Sequence, residues 1–146
     1  MNDQDVVSKV EILLRHVAVA VTHRGREHLG DYQITPPQFS ALLALIDSGE
    51  ITMGELCQKL FLACSTVTDL IDRMEKNGYV ERFKDSKDRR VIRLRVLPAG
   101  IAVYEDVIKN RKTYLKTVLA QISDEQQQNL VASLESLHSL MKPEHK

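Results

Sequence analysis

Residues 65–96 read STVTDLIDRMEKNGYVERFKDSKDRRVIRLRV, and the spacing of the apolar side chains changes within this stretch. The first part has them at the i, i+3, i+4, i+7 spacing of one helix face: Val67, Leu70, Ile71 and Met74. The last part alternates them with arginine at the period of a β-strand: Ile92, Leu94 and Val96. The stretch therefore predicts a helix, then a hairpin of residues 79–84 and 91–96 around a polar loop.

A second short helix is predicted just before this one. Thr52 and Glu55 stand three residues apart, as in a capping box at a helix start. The helical apolar period follows directly: Met53, Leu56, Cys57 and Leu60. Only residues 61–64 separate the two helices, which predicts a helix-turn-helix, and a hairpin directly after such a motif is a wing.

The predicted wing is strongly basic, although the formal net charge of the chain is zero. Residues 82–96 carry seven basic side chains against two carboxylates. Positive charge at a hairpin tip can follow a phosphate backbone and enter the minor groove of DNA, which predicts contacts from Lys87, Arg89 and Arg90. Asp88 is predicted to stabilise the loop by pairing with an arginine. The alternative is a solvated hairpin whose charge serves solubility.

The helix before the wing presents short polar side chains on the face opposite its apolar residues. Hydroxyl groups near a helix N-terminus hydrogen-bond to phosphates or base edges at close range. The predicted major-groove contacts are Ser65, Thr66, Thr68 and Arg73. Asp69 is interpreted either as a base reader or as a group that orients Arg73, one turn later. The alternative is an ordinary solvated helix face.

Helical periodicity continues on both sides of this core. Helices are predicted at residues 6–28, ending near Gly30, after Thr35 with Pro36 or Pro37 in first position, from Pro98, and from the capping box of Ser123 and Gln126. The predicted fold is mainly α with a small β-hairpin wing (α+β). Its predicted domains are an N-terminal dimerisation helix (1–34), a winged helix-turn-helix DNA-binding domain (35–97) and C-terminal dimerisation helices (98–146).

The outer helices each have an apolar stripe that must be covered, because exposing it costs roughly 25 cal/mol per Å². They could cover the core of their own chain, giving a monomer with a helical cap. We favour pairing with a second chain, because a DNA reader with two-fold symmetry matches symmetric half-sites.

The sequence lacks the motifs and segments of several other classes of protein. The sequence has no phosphate-binding glycine loop, no nucleophile elbow and no metal-ligand quartet, so an enzyme, a cofactor and a metal site are not expected. No apolar run approaches the roughly 20 residues that span a bilayer, and the first residues lack a signal peptide's basic region. A cytoplasmic protein without a membrane partner is expected.

The cysteines and histidines carry weaker signals. Cys57 and Cys64 are interpreted as two separate reduced thiols, with Cys57 in the core. Cys64 is the redox candidate, because it lies near a helix N-terminus, where thiolates are favoured. His16 and His23 share a helix face, but an exposed or interface position is expected for both rather than a metal or ligand site.

These motifs resemble the MarR family of bacterial transcriptional regulators. The family's wing signature is matched in DRRVIRLRVLPAG by Asp88, Arg90, Leu94, Val96 and Gly100, and STVTDLIDRMEKNGYVER is similar to its recognition helix. The chain departs from the pattern at Leu97, where threonine is usual, at Phe61, where the turn often has glycine, and at Ala63, where a serine commonly caps. Cys64 and Asp69 stand where basic residues are frequent.

The resemblance implies a homodimer that binds double-stranded DNA at a pseudo-palindromic operator, with a recognition helix in the major groove and a wing in the minor groove of each half-site. It also implies a nucleoid-associated repressor, released by a small anionic or aromatic effector or by cysteine oxidation. The rival hypothesis is a winged-helix interaction module whose basic hairpin binds an acidic protein.

Overall fold

The computed structural model describes residues 2–26 and 32–141. Their helices and strands are α1 (Asp3–Arg26), α2 (Pro36–Ser48), β1 (Ile51–Thr52), α3 (Met53–Leu60), α4 (Cys64–Lys76), β2 (Val80–Lys84), β3 (Ile92–Val96), α5 (Pro98–Leu119) and α6 (Asp124–Leu140). The predicted fold class is confirmed. The predicted end of the first helix near Gly30 lies outside the described residues.

Side-chain caps begin three of the helices where the sequence predicts them. At α2, the Thr35 hydroxyl accepts from the Gln38 amide at 3.4 Å, and the Gln38 side chain accepts from the Thr35 amide at 3.1 Å. The same reciprocal pair joins Ser123 and Gln126 at α6. At α3, the Thr52 hydroxyl accepts from the Glu55 amide at 3.1 Å. Each bond satisfies an amide that the first helical turn leaves without a partner.

The hydrophobic core lies between α2, the helix-turn-helix, the sheet and the first half of α5. Its fully buried side chains are Leu42, Leu45, Leu56, Ile71, Met74, Leu94, Val67, Val80, Val103 and Val107. Burying such a side chain contributes roughly 1.5–3 kcal/mol. In α5 the inward-facing residues are Val103 and Val107, whereas Ile101 is 36% exposed.

Gly100 fixes how the start of α5 packs. A Cβ at this position would lie 2.5 Å from the backbone oxygen of Tyr79 and 2.7 Å from a methyl group of Val96. The Leu97 amide donates to the same Tyr79 oxygen at 2.9 Å. The helix therefore approaches the sheet through a residue that has no side chain, and its inner face is set by that contact.

The strands form one antiparallel sheet in the order β1-β3-β2. In β3, Leu94 lies opposite Ile51 of β1 on one side and Arg82 of β2 on the other. The hairpin of β2 and β3 is the predicted wing. The two-residue strand β1 was not predicted, because it is too short to show a period.

The turn of the helix-turn-helix differs from its prediction in two details. The second helix begins at Cys64, one residue early, and its N-cap residue Ala63 makes no side-chain cap. Phe61, at the end of α3, has φ 54°, in the left-handed region. A bulky side chain in this region costs on the order of 1–3 kcal/mol.

The chain separates into two compact units, one up to Arg111 and one from Lys112 onward. Residues 3–20 of α1 are all exposed, and no residue of α6 is buried. Large apolar side chains are among them, including Leu13 at 59% exposed and Leu134 at 51%. In the part of the chain that the structure describes, no helix has the length and apolar content to cross a membrane.

Candidate nucleic-acid interface

Helix α4 is anchored on one face and open on the other. Its buried face consists of Val67, Ile71 and Met74, each with no exposed surface. The residues of α4 that were predicted to contact DNA are all exposed, outside this buried face: Ser65, Thr66, Thr68, Asp69 and Arg73. The core therefore holds the helix while its polar face stays accessible to a ligand.

The first turn of α4 concentrates hydrogen-bonding groups. Ser65 and Thr66 are its second and third residues, and Ala63 offers no side-chain acceptor to the first amides. Thr68 donates its hydroxyl proton to the backbone oxygen of Cys64 at 2.8 Å, so the hydroxyl oxygen is left only as an acceptor toward a ligand. A helix end of this kind attracts anions, because amides and helix dipole both favour negative charge there.

Arg82 joins α4 to the wing. Its guanidinium donates to Asp72 at 2.5 Å and to Glu75 at 2.9 Å, and its backbone amide donates to Glu75 at 2.8 Å. Burial lowers the pKa of Arg82, but the hydrogen bonds and charges of Asp72 and Glu75 outweigh burial and hold the pKa above its ordinary value. Asp72 therefore has a cationic partner on the open side of the helix.

The wing loop is ordered by two aspartates. Asp85 accepts from the amides of Lys87 at 3.0 Å and Asp88 at 2.9 Å, and from the Arg93 side chain at 2.5 Å. Asp88 accepts from the amide and the guanidinium of Arg90, at 3.1 Å and 3.1–3.2 Å. The arginine that Asp88 was predicted to hold is thus Arg90, and the importance of this pair for the wing stays a prediction.

Positive charge in the wing is concentrated at its tip. Arg93 pairs with Asp85, and Arg95 pairs with Glu81 at 2.7 Å and stacks on Phe83 at 3.9 Å. With Arg82 paired to α4, these three strand arginines are neutralised by carboxylates, several of them outside residues 82–96. The sequence count of seven against two therefore overstates the charge that the wing offers. The exposed cations are Lys84, Lys87, Arg89 and Arg90, and Arg90 is 91% exposed.

The two cysteines correct a prediction. They were expected as separate thiols, but the structure joins Cys57 and Cys64 in a disulfide with Cα atoms 5.4 Å apart. Cys57 lies on the inner face near the end of α3, and Cys64 is the first residue of α4, so the short turn brings them within bonding reach. No described group of histidines, cysteines and carboxylates could hold a metal ion.

Two features of this site were missing from the sequence analysis. Arg82 was counted only as wing charge, because its partners lie seven and ten residues earlier and no periodic pattern relates them. Phe61 was noted only as a departure from the family pattern. Its position in a turn that favours glycine was the available signal.

Comparison with known proteins identifies the chain's relatives. Residues 34–92 match the model of the MarR family. A solved MarR family protein from Bacillus stearothermophilus is 45% identical, with a TM-score of 0.85 over 97% of this chain and 99% of that one. The chain belongs to the MarR family. The Bacillus subtilis regulator YsmB, an uncharacterized HTH-type transcriptional regulator, is 48% identical over 95% of this chain and 91% of its own length.

Other MarR relatives are more distant. The HTH-type transcriptional repressor MdtR of Bacillus subtilis is 26% identical over 83% of this chain and 78% of its own length. Transcriptional regulator Tm0710 from Thermotoga maritima is 34% identical, with a TM-score of 0.75 over 92% and 94% of the two chains. This MarR protein is therefore an HTH-type transcriptional regulator and not an enzyme, and its family implies DNA binding.

The ordering of the wing by Asp85 leads to a prediction about pH. The hydrogen bond from Arg93, and then those from the amides of Asp88 and Lys87, hold the pKa of Asp85 below its ordinary value. Its stabilising effect is complete above the unfolded carboxyl value of about 3.9 and is lost as pH falls through the lower folded value. We expect Asp85→Asn to be less stable than wild type at pH 7 and to lose less stability on acidification, measured by urea unfolding at pH 7 and pH 3.

The exposed Asp47 of α2 provides the control, since Asp47→Asn removes a carboxylate away from the wing. This variant should follow the wild-type pH profile. An Asp85→Asn profile parallel to that of the wild type would show that the loop does not depend on the charge of Asp85.

Proposed function

We propose that the protein is a repressor that binds a pseudo-palindromic operator as a homodimer, in the bacterial cytoplasm at the nucleoid. In each half-site α4 enters the major groove, through Ser65, Thr66, Thr68, Asp69 and Arg73. The wing lies over the adjacent minor groove, with Lys87, Arg89 and Arg90 near phosphates. The observation that carries the proposal is the pairing of an exposed polar helix face with a cationic loop tip through Arg82.

The charges of the site support this assignment. Inside the wing, carboxylates hold the arginines of the strands, and the cations at the tip remain exposed. A tip of this kind suits a polyanion, and an ordered loop has less conformational entropy to lose on binding. The exposed cations form a localised site on a protein of zero net charge, and they do not give the whole surface a general affinity for nucleic acid.

The exposed outer helices support a dimer. Residues 3–20 of α1 and all of α6 leave valine and leucine side chains in water, which a second copy would cover. Two-fold symmetry then presents two α4 helices to one duplex, and half-sites about one helical turn apart, roughly 34–36 Å, match such a pair.

Variants of the wing and of α4 should affect DNA binding differently. We expect the double variant Arg89→Ala and Arg90→Ala to weaken binding to operator and to unrelated duplexes by a similar factor, and to lower the salt slope by about one per lost phosphate contact. Thr66→Ala should instead change which DNA sequence is preferred, because the discrimination between base pairs at one position should change by roughly 1–3 kcal/mol. Fluorescence anisotropy on duplexes selected from random DNA, at 50–200 mM salt, measures both effects.

The matched control removes two exposed lysines outside the proposed DNA-binding domain, Lys9→Ala with Lys112→Ala, and should leave the affinity nearly unchanged. Equal operator binding by the double arginine variant and the wild type would refute the wing assignment. Failure to bind any duplex, together with capture of an acidic protein that the arginine variant no longer captures, would instead favour the interaction module.

The dimer is tested by placing charge on the exposed apolar faces. Val17→Glu with Leu134→Glu puts two carboxylates where a partner's apolar side chains would lie, and burying an unpaired charge costs several kcal/mol. We expect the wild type to sediment as a dimer and this variant as a folded monomer in analytical ultracentrifugation. Gln128→Glu, an exposed change on α6, should remain a dimer. A monomeric wild type would remove the proposed operator symmetry.

Two signals could release the protein from DNA. A small anionic or aromatic effector is one candidate, and oxidation at Cys64 is the other. Cys57 and Cys64 form a disulfide at the first residue of α4, the end that we propose enters the groove. Reduction by a thiol would supply two electrons and two protons and separate α3 from α4; a peroxide would restore the bond and be reduced to water or an alcohol.

We expect peroxide to lower the operator affinity of the reduced protein, and dithiothreitol to restore it, because the covalent link constrains the first turn of α4. Cys64→Ser should bind DNA equally before and after peroxide. Anisotropy measured on the two forms tests this, and a peroxide effect that persists in Cys64→Ser would exclude Cys64 as the sensor.

A further inference from the structure

Phe61 is exposed in a position that the fold does not explain. It is 93% exposed, the largest exposed fraction among the large apolar side chains of the described residues. Its φ of 54° lies in the left-handed region, and the other described residues with positive φ are Gly49 and Gly78. Phenylalanine here adds nothing to the core and strains the backbone. Non-glycine residues with a strained φ of this kind are concentrated at functional sites.

The location of Phe61 connects it to the proposed DNA surface. It lies three residues before Cys64, the first residue of α4, and residues 61–66 are all exposed. The surface around the ring is therefore continuous with the end of the helix that carries Ser65 and Thr66.

The charge of this segment also suits a duplex. Residues 56–68 contain no carboxylate, and Lys59, two residues before Phe61, is exposed. A phosphate backbone can approach the turn without repulsion from its own residues. The other large apolar side chain exposed in this segment is Leu62, at 42%, so the apolar surface around the ring is too small for a typical protein interface. Charge and continuity together favour DNA as the occupant.

We propose that the ring of Phe61 contacts the 5-methyl group of a thymine at the edge of the major-groove site that α4 reads. The methyl group is the apolar feature of the major groove, and phenylalanine is one of the side chains that contact it. Phe61 is then a specificity-determining residue that selects thymine at one position of each half-site. This inference rests on the proposed function.

The test combines a change in the protein with a change in the DNA. A duplex selected by the wild type from random DNA is compared with the same duplex in which uracil replaces every thymine, which removes only the methyl groups. The wild type should lose about four-fold in affinity per contacted methyl, or about sixteen-fold for the two half-sites. Phe61→Gly should bind the thymine duplex more weakly and lose clearly less on the uracil duplex.

Glycine suits this backbone conformation, so Phe61→Gly should fold at least as well as the wild type, with an equal or higher thermal midpoint. Phe61→Leu retains an apolar side chain and should keep part of the thymine preference. Stability and affinity therefore change in opposite directions in Phe61→Gly, which a purely structural role of the ring would not produce.

Each other outcome overturns the inference in a recognisable way. If Phe61→Gly binds both duplexes as the wild type does, the ring does not contact DNA and a protein partner becomes its occupant. If Phe61→Gly weakens binding to both duplexes by the same factor, the ring contacts sugar or phosphate rather than a methyl group. If the wild type selects no duplex at all, the proposed function fails before the question of Phe61 arises.

Discussion

The wing is held against α4 by the buried side chains of Val80 and Leu94 and by one ion-pair network, in which Arg82 of β2 binds Asp72 and Glu75 of α4. The core fixes the inner face of α4 and the inner faces of both strands. Three hydrogen bonds from Arg82, two from the side chain and one from the backbone, join the outer side of α4 to the hairpin as well.

The network also determines how charge is distributed. Acidic residues on a surface meant for DNA oppose binding unless a cation neutralises them. Asp72 and Glu75 share the positive charge of Arg82, and Glu81 pairs with Arg95, so these carboxylates hold the wing together and their repulsion of phosphate is reduced. The exposed cations then lie in the loop and at the end of β2. A chain of zero net charge can thereby present a local positive site.

Local signals in the sequence located most of the fold. Capping residues such as Thr35 and Ser123 identify where a helix begins, because the hydrogen bond that each forms spans only three positions. The alternation in β3 and the helical period in α4 identified the wing and the helix-turn-helix in the same way. Each of these signals is complete within a few residues.

What the sequence did not reveal depends on contacts between distant or irregular positions. The inner face of α5 is set by the approach of Gly100 to Tyr79, and periodicity alone did not identify Val103, which is buried there. To predict the partners of Arg82, or the pairing of Cys57 with Cys64, one must know the path of the chain through a turn. At the candidate interface, the sequence therefore predicted the exposed residues of α4 and the wing tip but not what orients them.

The outer helices show most clearly what the spacing of apolar residues cannot predict. An apolar stripe on α1 looks the same whether its own chain or a second chain covers it, since periodicity records only that one face avoids water. In the structure this face is exposed on α1, and α6 buries no residue, while the core is already complete without them. Such faces favour association, because their burial removes apolar surface from water. A two-fold pair, as in the dimer that we propose, would cover them in a closed assembly, whereas an open arrangement would leave a face exposed at each end and continue to grow.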